Sequence, residues 1–429
     1  MEKLERIDSR AVADWLAIAV AASLPWSTSA TGILIVLWLI SLLPILDIGA
    51  LRREFLTVAG GLPILIWLFA AAGMLWADVS WADRLGGLSG FHKLLVIPLL
   101  LVQFRRSPRG TWVLWAFLIS CAGLLATSYV LALWPGLTWR GNVNGMPGVP
   151  VKDYVAQSGE FVICFFVLLS LALSLIRVRP QHGLIVLTIA VLFLGNILYI
   201  ATGRTALVVA AVLVLLFASR YFGWKGACGV LSAAIVLTFV IWVSSPNLRA
   251  QINLIPGEYQ QYSSTNARTR IGERIEFWKK SLSFISEAPI FGHGTGEIRK
   301  LFGQSATGKA GASALVPDNP HNQTLTIAIQ LGLVGVILLY AMWIGHVWLF
   351  RGPTLPAWIG LVVVVQNVVS SLFNSHLFDF TQGWLYVFGV GVAGGVVQQL
   401  NGAMPESEKA KPLFVERLPI TQETRRRGL

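Results

Sequence analysis

A histidine stands where a long apolar segment begins, in the stretch DNPHNQTLTIAIQLGLVG. Asn319 is suited to capping a helix and Pro320 to its first position, which predicts that His321 lies in the first helical turn. At about 100° per residue, His321 shares a helical stripe with Gly332 and Gly335. Two glycines on that stripe predict close packing against another helix and a fixed ring. Such a ring can accept a proton or a hydrogen bond, so His321 is the first candidate for catalysis.

Four further polar residues are candidates for binding a substrate. Asp318 is the carboxylate nearest to that histidine, and it either orients the ring or is an ordinary acidic residue at a helix start. Asn322 directly follows the histidine. His293 lies in GHGTG, a turn that the glycines explain without any function. Lys152 lies beside Asp153 at the start of an apolar segment, where the two residues either pair or meet a charged ligand.

Three arginines have a spacing typical of anion binding. Arg204 opens an apolar segment in TGRTAL, where the helix N-terminus would add to its field and favour an anion such as phosphate. The alternative is an arginine that reaches the lipid headgroups. Arg270 and Arg274 are four residues apart and share a helical face, which is repulsive unless an anion lies beside them. Either Glu273 and Glu276 supply that charge, or one arginine, with Arg274 favoured, binds a diphosphate with bidentate geometry.

No acidic pattern typical of a divalent-metal site accompanies these residues, because the sequence has neither a DxD pair nor HExxH in its predicted outward loops. We therefore expect metal-independent chemistry and no cofactor.

The composition identifies the setting of these residues as a membrane. Of the 429 residues, 55% are hydrophobic and only 13% are charged, and the mean hydropathy is +0.68. A soluble domain could not bury that much apolar surface. The formal net charge of +12 would suggest nucleic acid in a soluble protein. Here the basic residues form short clusters between apolar segments, which is a topological pattern, so no nucleic-acid partner is expected.

Apolar segments long enough to cross a bilayer predict an all-α polytopic membrane protein with about twelve transmembrane helices. They lie near 11–27, 31–47, 60–77, 88–104, 111–134, 158–176, 183–201, 204–222, 226–244, 321–350, 355–374 and 382–400. Basic clusters in alternate loops predict that both termini are cytoplasmic and that the remaining loops are periplasmic.

Four regions follow from this pattern. They are transmembrane helices 1–9 (1–244), one large periplasmic loop (245–320), transmembrane helices 10–12 (321–400) and a cytoplasmic tail that is expected to be disordered (401–429). The loop holds nine Lys or Arg, against the usual bias for outward loops, which indicates a function. Within it, an amphipathic helix is predicted over about 268–286, ended by Pro289 and GHGTG and followed by a second short helix.

These residues together resemble the O-antigen ligase family of bacterial inner-membrane glycosyltransferases. The family motif is His, then Asn, Ser or Gln, nine residues, Gly, two residues, and Gly, Thr or Tyr. It is complete here as His321, Asn322, Gly332 and Gly335. Two further matches are the arginine of TGRTAL and the loop pattern TRIGERIEFWKKSLSFISEAPIFGHGTG, in which Arg274 occupies the recurring position.

The resemblance implies a GT-C-like membrane enzyme and a mechanism. The donor would be a glycan on undecaprenyl diphosphate, and the acceptor a sugar hydroxyl of the lipid A core. Arg204 and Arg274 would bind and neutralise the diphosphate, with Arg270 as an extra basic residue that leaves the loop assignment open. His321 would either take the proton from the hydroxyl or position the donor. Direct attack would invert the anomeric centre, in a monomer that contacts membrane lipids.

Three alternatives share part of this pattern. An O-antigen polymerase has the same donor and a different acceptor, and a protein O-oligosaccharyltransferase shares the histidine motif. A transporter of lipid-linked glycan or anions would use the arginines as a transient binding site and cleave nothing. Transporters commonly have internal repeats and interrupted helices near the bilayer midplane. The sequence has no convincing half-to-half repeat, which favours an enzyme.

Overall fold

The computed structural model describes the backbone of residues 2–137 and 146–403, without the side chains of 2–8 and of several residues between 227 and 251. Part of the Gly- and Pro-rich segment 135–157 lies outside these residues. So does the predicted tail, apart from 401–403, which belong to the last helix rather than to a disordered segment.

Within these bounds the chain is helical and contains no β-strand, which confirms the predicted all-α fold. The helices are α1 (Glu2–Ser23), α2 (Thr28–Leu42), α3 (Ile48–Phe55), α4 (Val58–Gly73), α5 (Trp81–Ser89), α6 (Val96–Arg106), α7 (Gly110–Leu133), α8 (Tyr154–Ile176), α9 (Pro180–Tyr199), α10 (Arg204–Tyr221), α11 (Trp224–Ser244), α12 (Pro246–Thr265), α13 (Arg270–Glu287), α14 (Ile298–Ala306), α15 (Gln323–Leu349), α16 (Leu355–Ser370) and α17 (Phe380–Ala403).

Seven helices of the described chain are long and apolar enough to cross a membrane, or up to nine if two bent pairs each form one span. The first pair, α3 and α4, is bent by 83°, and the second, α5 and the helical segment His92–Arg106, by 50°. The chain is therefore a polytopic membrane protein. Twelve spans stay a prediction. Helix α16 has only 16 residues, and each bent pair is either one broken span or a re-entrant loop.

The core lies where α8, α16 and α17 pack against each other and against α6 and α10. Since lipid tails are as apolar as leucine, small residues that permit close backbone approach stabilise such helix pairs. Gly391, Gly394 and Gly395 of α17 face α6, and an added Cβ at each would lie within 3 Å of Leu100, Leu101 or Phe104. This packing holds the second half of α17 against α6.

The region 245–320 contains three helices, α12 to α14. The helix predicted over 268–286 is confirmed as α13, and the short helix after GHGTG is confirmed as α14. Helix α12 was not predicted. Phe277 and Phe284 of α13 pack with Phe302 of α14 and Ile329 of α15 in a separate apolar cluster, so α13 lies against the transmembrane bundle.

Candidate active site

The three predicted arginines lie on one cavity of about 140 Å³. Arg204 is the first residue of α10, and Arg270 and Arg274 lie on the first two turns of α13. The other walls come from α8, α16, the start of α17 and the segment that joins these last two helices. The tertiary structure therefore places side chains that are 70 residues apart in sequence beside each other.

The cavity is strongly electropositive. No Asp or Glu side chain lines it within the described chain. Arg204 is half-buried, whereas Arg270 and Arg274 keep contact with solvent on its open side. Desolvation by the surrounding protein nevertheless lowers the pKa of Arg274, and the positive charges of Arg204 and Arg270 lower it further. An anion in the cavity would relieve this repulsion, which is the behaviour of an anion-binding site.

His321 does not line the cavity itself, but it contacts a residue that does. Its Nδ1 is 2.9 Å from Oδ1 of Asn374, which does line the cavity. The Nδ2 of Asn374 donates to Asp379 Oδ2 at 3.0 Å. A carboxylate can only accept, so Oδ1 of Asn374 faces the histidine and His321 Nδ1 carries the hydrogen. The ring also stacks on Phe277, with centroids 6.0 Å apart.

The predicted helix start is wrong by a few residues. Asn322, not Asn319, is the N-cap of α15, and its Oδ1 accepts from Leu325 N at 3.1 Å. His321 precedes the helix with φ of +53°, a conformation that non-glycine residues rarely adopt. Asn319 Oδ1 accepts from His321 N at 2.9 Å and stabilises this turn. The turn, rather than a helical stripe, therefore orients the ring.

The motif glycines also differ from the prediction. Gly332 interrupts α15 with φ of +62° and ψ of −160°, and an added Cβ would lie 2.3 Å from the carbonyl of Ile290. The backbone at 289–294 enters this break, where Leu333 N donates to Pro289 O at 2.8 Å. Gly335 packs under side chains of its own helix, Leu331 and Ile327. The motif thus attaches the extramembrane region to α15 instead of packing two helices together.

Three predicted substrate-binding residues lie outside the cavity. The His293 ring is 2.8 Å from Phe284 O and holds the GHGTG turn. Asp318 pairs with Arg299 at 3.6 Å, and its side chain is 84% exposed. Asn322 donates through Nδ2 to Leu372 O at 3.1 Å, besides capping α15. None of the three lines the arginine cavity among the described residues, so their part in substrate binding stays a prediction.

Lys152 pairs with a carboxylate, but not with Asp153. Its Nζ is 3.6 Å from Glu160 Oε1, and it also donates to Leu24 O. Asp153 caps α8, accepting from Val155 N at 2.8 Å and from Ala156 N at 2.9 Å. Both partners of the Lys152–Glu160 pair are almost fully buried.

Replacing Lys152 with methionine should therefore lower the free energy of unfolding by about 3–5 kcal/mol, because it leaves the Glu160 charge buried and alone. The double variant Lys152→Met/Glu160→Gln should recover part of that loss. Thermal unfolding in one detergent measures both, with the exposed Lys309→Met as control. Equal losses in the single and double variants would contradict the pairing.

Sequence reasoning missed the polar segment between α16 and α17. Asn374, His376 and Gln382 line the arginine cavity, and Asp379 Oδ2 lies 3.0 Å from His376 Nδ1. Lys93 Nζ holds the segment by donating to the carbonyl oxygens of Phe378 and Asp379, both at 2.7 Å. The available signal was the run NSHLFD, which places an amide, an imidazole and a carboxylate within six residues between two apolar helices.

No group of three or more His, Cys, Asp and Glu side chains that could hold a metal ion occurs in the described part of the chain.

The fold and the site define the class of protein. It is an all-helical polytopic membrane protein with a cavity lined by arginines. Residues 187–340 match the family model described as O-antigen ligase. Over these residues the chain is similar to the O-antigen ligase family, which supports the resemblance predicted from the sequence motifs. The matched segment includes all three arginines and the complete histidine motif.

A curated relative from Haemophilus influenzae is described as an uncharacterized protein and is 30% identical over 130 residues. The alignment covers 29% of this chain and 33% of the relative, so the likeness spans about a third of that protein's length.

Proposed function

We propose that the protein is an O-antigen ligase that transfers a glycan from undecaprenyl diphosphate to a sugar hydroxyl of the lipid A core. The reaction takes place at the periplasmic face of the bacterial inner membrane. The observation that carries this proposal is the cavity in which three arginines meet, with no carboxylate among the described residues that line it. The family match supports ligase- or polymerase-type activity in general.

The arginines supply the charge stabilisation that the reaction needs. When the anomeric carbon leaves the diphosphate, negative charge builds up on the bridging oxygen, and preorganised cations stabilise that charge. Arg204 adds the field of the α10 N-terminus. Arg270 and Arg274 project from adjacent turns of α13 and suit bidentate contacts with two phosphates. A metal ion is then not required for the leaving group, and direct attack by the hydroxyl inverts the anomeric centre.

His321 acts in this proposal as a positioning residue. Its Nδ1–H holds Asn374, whose side chain forms part of the cavity wall. Phe277 stacking and the Asn319 turn keep the ring in place. His321→Ala and Asn374→Ala should therefore lower the rate by similar factors, and the double variant by little more than either single variant. Multiplying effects would instead indicate that His321 touches the substrate independently.

The donor reaches the cavity from the membrane in a GT-C-like bundle. Its polyprenyl tail enters between helices while its diphosphate lies at the arginines. We propose a monomer with both termini in the cytoplasm.

Reconstitution tests this function. Purified protein, undecaprenyl-diphosphate-linked glycan and lipid A core should yield glycan-bearing lipid A without added metal, and EDTA should leave the rate unchanged. Loss of transfer on chelation would contradict the metal-independent mechanism.

The product of the same assay separates the alternatives. Lengthened lipid-linked glycan in the absence of lipid A core would indicate a polymerase. Glycosylation of a pilin-like polypeptide would indicate a protein transferase. Movement of intact donor across proteoliposomes without cleavage would indicate a transporter.

A further inference from the structure

A second cavity of about 660 Å³ lies directly behind the wall of the arginine cavity. The two cavities share Val155, Asn374, His376 and Gln382. Their chemistry differs, because the second contains hydroxyl groups and an aromatic ring from the turn after α1 and the first residues of α2. Trp26, Ser27, Thr28 and Ser29 supply these groups. Saccharides commonly meet such a combination, in which hydroxyls exchange hydrogen bonds and a ring packs on the sugar face.

The unpaired side chain of Gln382 indicates that a ligand binds at the wall shared by the two cavities. Its side chain is only 3% exposed, and its Oε1 accepts from Gln366 Nε2 at 3.0 Å. Its Nε2 has no hydrogen-bond partner in the described chain. A buried donor left unpaired costs about 1–3 kcal/mol. An oxygen atom of a bound molecule in either cavity would accept this hydrogen bond.

His376 lies in the same wall and is 2% exposed. Its Nδ1 is 3.0 Å from Asp379 Oδ2, close enough for a hydrogen bond but not aligned as one. Catalytic contacts of this kind are often poorly aligned before substrate binds. Once Nδ1–H donates to the carboxylate, Nε2 carries the lone pair, and it forms no hydrogen bond within the described residues. Asn374 Nδ2 donates a hydrogen bond to the same oxygen of Asp379, Oδ2, at 3.0 Å.

We infer that the second cavity binds the acceptor saccharide and that His376 is the base that takes the proton from its attacking hydroxyl. This inference rests on the proposed function. The hydroxyl oxygen forms a bond to the anomeric carbon of the donor while the bond from that carbon to the diphosphate oxygen breaks. The electron pair of the broken bond leaves with the diphosphate. The proton moves from the hydroxyl to His376 Nε2, Asp379 stabilises the imidazolium, and the ring then releases the proton to water.

The placement explains why the two histidines have different tasks. Among the described residues, His321 contacts the cavity wall through its hydrogen bond with Asn374. His376 lies between the cavity for the diphosphate and the cavity for the acceptor, and it lines both. A base must be within hydrogen-bond reach of the proton it removes. The shared wall is the place where an acceptor in the second cavity meets a donor in the first.

Steady-state kinetics of the full-length protein with both substrates tests the two halves of the inference separately. His376→Gln should lower kcat about 10²- to 10⁴-fold, the usual contribution of a general base, with little change in either KM. Ser29→Trp adds a large side chain at an exposed position in the second cavity and should raise the acceptor KM at least about tenfold with the donor KM unchanged. Ser89→Trp, at an exposed serine outside both cavities, is the control and should change neither KM.

Chemical rescue separates a base from a structural residue. His376→Ala should regain activity when imidazole is added, whereas a folding defect would not respond. The inference is overturned if His376→Gln keeps its kcat, if imidazole rescues nothing, or if Ser29→Trp changes the donor KM alone. Absence of transfer by the wild-type protein would instead overturn the proposed function.

Discussion

Arg274→Ala should lower the rate of glycan transfer about 10²- to 10³-fold, the loss seen when one preorganised group that stabilises developing negative charge is removed. No acidic side chain of the described chain lines the cavity, so no carboxylate in its wall can take the place of the lost arginine. The transfer rate of Arg274→Lys should lie between those of the wild type and Arg274→Ala, because lysine keeps the charge and loses the bidentate geometry. The measurement is transfer from lipid-linked donor under single-turnover conditions.

Arg268→Ala is the matched control. Arg268 lies two residues before α13, is exposed, and contacts only Gly311 O among the described residues, at 3.4 Å. Its replacement should leave the rate within about twofold, since a surface charge contributes little. Equal rates for Arg274→Ala and the wild type would exclude the cavity as the diphosphate site. The transfer rate of Arg270→Ala, measured in the same assay, shows which of the two α13 arginines contributes more to the reaction.

Gly332→Ala should destabilise the protein by at least about 3 kcal/mol. Its backbone dihedrals lie in a region that is essentially restricted to glycine, which accounts for about 1–3 kcal/mol. The added Cβ would also meet the Ile290 carbonyl at 2.3 Å. Relief of that contact would separate the 289–294 segment from α15 and break its backbone hydrogen bonds. Because α13 directly precedes this segment in the chain, transfer should fall together with stability.

Gly303→Ala provides the comparison. This glycine lies in α14, and an added Cβ there would have no heavy atom within 4 Å. Alanine should be neutral or slightly stabilising in a helix. Thermal unfolding and hydrogen exchange at residues 289–294 measure both variants. A Gly332→Ala protein with unchanged unfolding and unchanged exchange would contradict the role of the break.

The three arginines that meet at the cavity each have a local signature in the sequence. Arg204 begins a helix after a turn signal, and Arg270 and Arg274 are four apart on a helix whose bounds the sequence also predicts. Each property depends on neighbours within a few residues. The meeting of α10 and α13 at one cavity depends on packing across some 70 residues, which no local pattern encodes.

The errors around the histidine have a similar cause. Asn319 and Asn322 are equally suited to cap a helix, and the choice between them depends on contacts with the segment 371–375. Gly332 and Gly335 fit a helical stripe until the 289–294 backbone enters α15 and breaks it. Contacts from elsewhere in the chain decided both points.

By itself, the sequence determined that this is an all-helical membrane protein, that its histidine motif is complete, and that its arginines lie near helix starts. Hydrophobic length, charge bias and helix periodicity are local properties, so they can be read along the chain. Only the tertiary structure decided that His321 contacts Asn374, that His376 lines two cavities, and that His293 and Asp318 line neither of them. These facts depend on which polar side chains pair when the helices pack, because buried polar groups take the partners that the fold brings to them.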